Sequence, residues 1–165
     1  MNHTKLDAIL EELSAACRES QVLFCASADK AADNEFGQYL SYRARRYEEN
    51  DAELMSLRKN YGEYDCEGPE LNASPRYTWT GLRRRIANAG WRNLLQTCEA
   101  EDGRMLMLYR DSLEYELPKE VAQRLSRQFA ELIEQHVRLQ RLQDGGARAA
   151  SPVLSSARNA EQPAF

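Results

Sequence analysis

At 165 residues the chain can bury one real core and is too short for two large domains. Hydrophobic residues at 42% and charged ones at 29%, with eight glycines and five prolines, exclude a collagen-like, membrane-spanning or wholly disordered chain. A formal net charge of −4 is too small to imply a nucleic-acid or membrane partner, so the distribution of charge matters more than its sum.

Leu6, Leu10, Leu13, Cys17, Ser20, Phe24 and Ser27 alternate spacings of four and three, which predicts a first long helix from about Lys5 to Asp29. Asp33 is a candidate N-cap for a second, in which Phe36, Leu40, Ala44, Tyr47, Asp51, Leu54 and Tyr61 repeat the rhythm up to Gly62. So short a connection predicts an antiparallel hairpin. From Gly62 to Pro75 periodicity disappears and Gly68-Pro69 punctuates the chain, as in a loop. A short helix is expected from about Pro75 to Ala87, with Trp79, Leu82 and Ile86 on one side, ended by Asn88-Ala89-Gly90.

A third long helix follows from Trp91, with Leu94, Leu95, Cys98, Met105, Leu108, Ser112 and Tyr115 as its inward positions. Pro118 closes it and opens the fourth, whose Val121, Leu125, Phe129, Leu132, Ile133, His136, Leu139 and Leu142 form an apolar face. The long helices match at roughly 36 to 42 Å, given 1.5 Å per residue. Matched rods, two tight hairpins and one long middle connection predict an all-α ferritin-like four-helix bundle with a long crossover containing a short helix. The bundle is expected over residues 1–143. A flexible, disordered C-terminal tail is expected over 144–165, where small and polar residues dominate.

The opening Met1-Asn-His-Thr-Lys-Leu-Asp7 lacks the basic-then-apolar order of a signal peptide, and no apolar run is long enough to cross a membrane. A cytoplasmic, reducing location is therefore expected, with no disulfide among Cys17, Cys25, Cys66 and Cys98. Cys17, Cys25 and Cys98 read as small buried side chains, and Cys66 lies in the polar connection.

The chain resembles the bacterial ferritin-like four-helix-bundle proteins grouped as a domain of unknown function. The resemblance rests on Cys17-Arg-Glu-Ser with Phe24, Asp33-Asn-Glu-Phe36, Glu53-Leu54, Trp79-x-x-Leu82-Arg83, Cys98-Glu99 with Asp102, Tyr109, Leu117-Pro118, Gln128 and His136. It covers about residues 4 to 143, with departures at Tyr47 and Asn50, where the pattern favours an arginine and an aromatic. It implies the bundle fold and a stress-related role, without implying a reaction.

In such a bundle, a dinuclear iron or manganese site needs glutamates from two helices and Glu-x-x-His from each of the other two. His3 and His136 are the histidines, and neither follows a glutamate at that spacing, because Ile133 precedes His136 by three and His3 has no such residue. No cofactor is therefore expected, the alternative being iron or manganese at a degenerate site of Glu19, Glu99, Asp102 and His136. Counted from the turn near Leu117, Glu99 and His136 reach similar heights, and a parallel second and third long helix would add Arg43 and Ser20. A buried ion-pair network is the natural reading, because a buried carboxylate needs a partner and arginine is an obvious one. No spacing supports a catalytic triad or a phosphate-binding glycine loop, so no catalytic residue is assigned.

The stretch between Asn72 and Cys98 has no acid and holds Arg76, Arg83, Arg84, Arg85 and Arg92, leaving the rest of the chain near −9. Arg83, Arg84 and Arg85 beside Trp79 either neutralise acidic neighbours within the fold or form a surface for an acidic protein partner or self-association. Nucleic acid is disfavoured because the remaining surface repels phosphate. The function expected is a non-enzymatic binding or scaffold protein. The alternative is a metal-binding oxidoreductase relic.

Overall fold

The computed structural model describes residues 3–31, 35–61 and 79–150, with side chains over 4–31, 35–61 and 80–145. All its elements are helices: α1 (His3–Lys30), α2 (Glu35–Tyr61), α3 (Trp79–Asn88), α4 (Trp91–Leu113) and α5 (Lys119–Ala150). The proposed Asp33 cap, the loop from Gly62, the first turn expected at Pro75, and Cys66 lie outside the described residues, as do residues 151–165.

Cross-helix pairs set the directions of the four long helices. Arg58 of α2 meets Asp7 of α1 at 2.9 Å, and Asp51 meets Ser14, so these two run antiparallel. Cys98 to Ser27 and Tyr109 to Cys17, each 3.6 Å, make α4 antiparallel to α1. Tyr109 to Gln128 at 2.8 Å and Gln140 to Glu99 at 2.9 Å do the same for α4 and α5. It follows that α2 and α4 are parallel. The core between the rods contains Leu10, Leu13, Phe24, Leu40, Leu54, Met105, Leu125 and Leu139, with Val121 and Leu132 from the face expected on α5.

α3 packs across α1 and α4, where Leu82 and Ile86 join Leu23, Ala26 and Leu94 in a smaller cluster. Its C-terminal end is held by Lys30, whose ammonium donates to the carbonyls of Ile86 at 2.7 Å, Ala87 at 3.0 Å, and Ala89. A cation suits the unpaired carbonyls and negative dipole end of a helix.

Several boundaries and faces differ from expectation. α4 ends at Leu113, short of Pro118, with Glu114 as its C-cap donating its backbone N–H to the Asp111 and Ser112 carbonyls. Tyr115, expected inward, lies past that end and is exposed. Ile133 is also exposed, because it follows buried Leu132 by one residue and so lies about 100° round the helix from the stripe of Leu125, Leu132 and Leu139. Cys17 and Cys98 are buried, whereas Cys25 is exposed, because it follows Phe24 by one and one residue is about 100° around the helix. α5 also passes the boundary expected at Gln143 and continues through Asp144 and Gly145 to Ala150.

Candidate functional site

Tyr39, Arg43 and Tyr47 follow one another at spacings of four on α2, which stacks them on its inward stripe. All three are buried, Arg43 to 2% exposure. Across the core stands Asp102 of α4 at 0% exposure, and the two charges meet bidentately. Arg43 Nη1 donates to Oδ2 at 2.9 Å and Nη2 donates to Oδ1 at 2.6 Å. Tyr47 Oη adds a third donor to Oδ1 at 2.8 Å, and Tyr39 Oη accepts from Arg43 at 3.2 Å while donating to the Gln135 carbonyl at 2.9 Å. Phe24 of α1 lies under the guanidinium, 4.7 Å from it to the ring centroid. A fork geometry, an aromatic floor and full hydrogen bonding are the conditions under which a buried ion pair is tolerated.

Burial works to raise the Asp102 carboxyl, but His136, Arg43 and Tyr47 outweigh it and hold the group below the usual carboxylate range. Asp102 in turn raises His136 above its ordinary value of 6.5, against partial burial and with help from Glu99. His136 Nδ1 stands 3.9 Å from Asp102 Oδ2, too far for a hydrogen bond, and this buried nitrogen has no partner among the described residues.

A second chain of polar groups crosses all four long helices. The Cys17 thiol lies 3.6 Å from Tyr109 Oη, which donates to Gln128 Oε1 at 2.8 Å. Gln128 Nε2 donates to Glu53 at 2.8 Å, and Arg127 holds Glu53 from outside at 2.7 Å. Burial pushes the Cys17 and Cys98 thiols up to about 12, so neither is a thiolate nucleophile at neutral pH. A third contact joins Ser20 to the buried Glu101 at 2.7 Å, with Arg104 closing on the same carboxylate at 2.7 Å.

Of the four residues considered for metal, three converge and one does not. Gln140 Nε2 bridges Glu99 at 2.9 Å and the His136 ring at 3.2 Å, which brings Glu99, Asp102 and His136 together at the α4–α5 seam. Glu19 lies on α1 beside Arg104, at 3.7 Å. Both oxygens of Asp102 are taken, and Arg43 would repel a cation there. Among the described residues no group of three or more His, Cys, Asp or Glu side chains is placed to hold a metal ion.

Arg83, Arg84 and Arg85 are all exposed on α3. Arg83 comes within 3.8 Å of Asp29. Trp79 begins α3, and its side chain lies outside the described ones. Ser20 was expected beside Arg43 but serves Glu101, and Asp102 rather than Glu99 is the acid that meets Arg43. The missed participants are Tyr39 and Tyr47, whose Tyr-x-x-x-Arg-x-x-x-Tyr spacing around an inward arginine is a readable signal.

Many of the residues that carry the resemblance noted above meet in these networks: Cys17, Tyr109, Gln128 and Glu53 in one, Phe24, Asp102 and His136 in the other. No protein-family model matches the chain, and no curated protein matches it.

Proposed function

We propose that this chain is a non-enzymatic binding or scaffold protein of the cytoplasm, built as a ferritin-like bundle in which a long crossover joins α2 to α4. One observation carries this reading. At the height of His136 Arg43 closes on Asp102 and Tyr39, and Tyr47 closes on Asp102, and among the described residues no three His, Cys, Asp or Glu side chains surround a common ion. Networks satisfied in this way specify a packing arrangement. The parallel course of α2 and α4 is the wiring a long crossover requires, and it supports the bundle assignment.

The outward-facing part of the proposal is α3. Arg83, Arg84 and Arg85, with Trp79 at its start, form a basic surface on an acidic protein, suited to an acidic protein face or to a second copy of the chain. The resemblance extends the proposal to a stress-related role.

Elemental analysis tests the reading after expression with iron and manganese supplied and purification without chelator. Well under one ion per chain is expected. Near-stoichiometric metal that disappears in His136→Ala would overturn the scaffold reading in favour of a degenerate metal-binding oxidoreductase.

A further inference from the structure

α2 and α5 meet through long side chains, including Arg46 to Glu131, Arg127 to Glu53, and Tyr39 to the Gln135 carbonyl. Between these bridges lies a cleft of about 360 Å³. That is within the range of small-molecule pockets, roughly 300–1,000 Å³. Its inner wall is polar and deeply buried, with Arg43 at 2%, Tyr47 at 2%, Asn50 at 9% and Gln128 at 1% exposure.

The groups left over after internal pairing define what the cleft can recognise. Arg43 is neutralised by Asp102, and Arg46 at the rim is paired with Glu131 and Glu49. Both ends of the Gln128 amide are used, by Tyr109 and Glu53. The Asn50 amide makes no hydrogen bond to the described residues, although it is nine-tenths buried and lines the cleft. Gln135 also lines the cleft, and its Oε1 is buried without a partner among the described residues. Tyr42 adds an exposed phenol at the mouth. Two carboxamides and a phenol each donate and accept; of the charged lining residues Arg43, Arg46 and Glu131 are already in ion pairs and Glu134 is exposed to solvent, so an ionic ligand gains little.

We propose that this cleft binds a small uncharged molecule carrying both hydrogen-bond donors and acceptors, of the size of a monosaccharide or a nucleobase. The site goes beyond the scaffold reading and does not depend on it. The test is an NMR titration of the ¹⁵N-labelled full chain with four neutral probes and two charged controls. D-glucose and myo-inositol represent polyols, nicotinamide and uracil represent planar amides, and spermidine and succinate are the controls.

Saturable binding of a neutral probe is expected, with a Kd of about 1 mM or tighter. Its largest shifts should fall at Tyr42, Asn50 and Gln135, and the arm that binds identifies the ligand type. Asn50→Leu and Gln135→Leu should each weaken binding about tenfold or more. Tyr42→Ala, at an exposed position that does not burden the core, should weaken it as well. Absence of cleft shifts at about 10 mM of every neutral probe, tighter binding of a charged control, or unchanged affinity in folded variants would overturn the proposal. The metal assay reads a different property, so either proposal can fail alone.

Discussion

Replacing Arg43 with methionine would strand Asp102, a fully buried carboxylate, beside an apolar side chain. The expected loss is about 3–5 kcal/mol, seen as a lower urea midpoint. Adding Asp102→Leu should restore a large part of it, because the double variant leaves no unpaired charge. A double variant as unstable as Arg43→Met alone would show that the pair does more than cancel itself.

The histidine beside this pair gives stability a pH dependence with a defined sign. His136 is raised in the folded state, so its contribution is complete below 6.5 and is lost as pH rises through the higher folded value. Asp102 is lowered, so its contribution is present above about 3.8 and is lost as pH falls through a still lower value. His136→Gln should therefore flatten the decline that begins near pH 6.5 and also move the acid limb to higher pH, because His136 is one of the groups that hold Asp102 low, as measured by urea unfolding across pH. Arg43 and Asp102 were both recognisable as polar residues needing burial partners. Which acid would meet the arginine was not, since Glu99 and Asp102 lie less than a helical turn apart and periodicity does not resolve that difference.

Within the elements, helical periodicity located each long helix and most of its buried stripe, as Leu6 to Phe24 on α1 and Val121 to Leu139 on α5 show. It failed where the determinants are not periodic. α4 stops at Leu113, several residues before Pro118, and α5 continues past Asp144 through two glycines. Gly103, inside α4, invites a direct test, because a Cβ added there meets no atom within 4 Å. Gly103→Ala should stabilise by about 0.5–1 kcal/mol through lost backbone freedom in the unfolded chain. Thermal unfolding should report this as a rise of about 1–4 °C.

Lys30 offers the opposite case, a surface residue that holds the end of another helix. Lys30→Met should accelerate amide hydrogen exchange in α3 while leaving the middle of α5 unchanged, with a global cost of about 1 kcal/mol or less. Equal acceleration in both helices would show that α3 is not a separately opening unit.

For the whole molecule the question is whether the basic surface belongs to the fold or to a partner. One ion pair from it, Arg83 with Asp29, joins two well-exposed side chains. Such pairs contribute little, about 0–1 kcal/mol. Replacing Arg83, Arg84 and Arg85 together with alanine should leave the unfolding midpoint nearly unchanged while reducing self-association, measured by sedimentation, or capture of an acidic partner. A large loss of stability with unchanged association would assign the arginines to the fold instead.

The all-helical character, the approximate spans of the elements and the poverty of nitrogen donors were already determined by the amino-acid order. Apolar spacing and residue type are local properties, and they survive without knowledge of neighbours. Tertiary packing decided the rest: Asp102 rather than Glu99 as the partner of Arg43, Ser20 turned to Glu101, Cys25 turned out to solvent, and a cleft left between α2 and α5. These outcomes depend on the axial offset and rotation of one rod against another to a fraction of a turn, and no single helix encodes that relation.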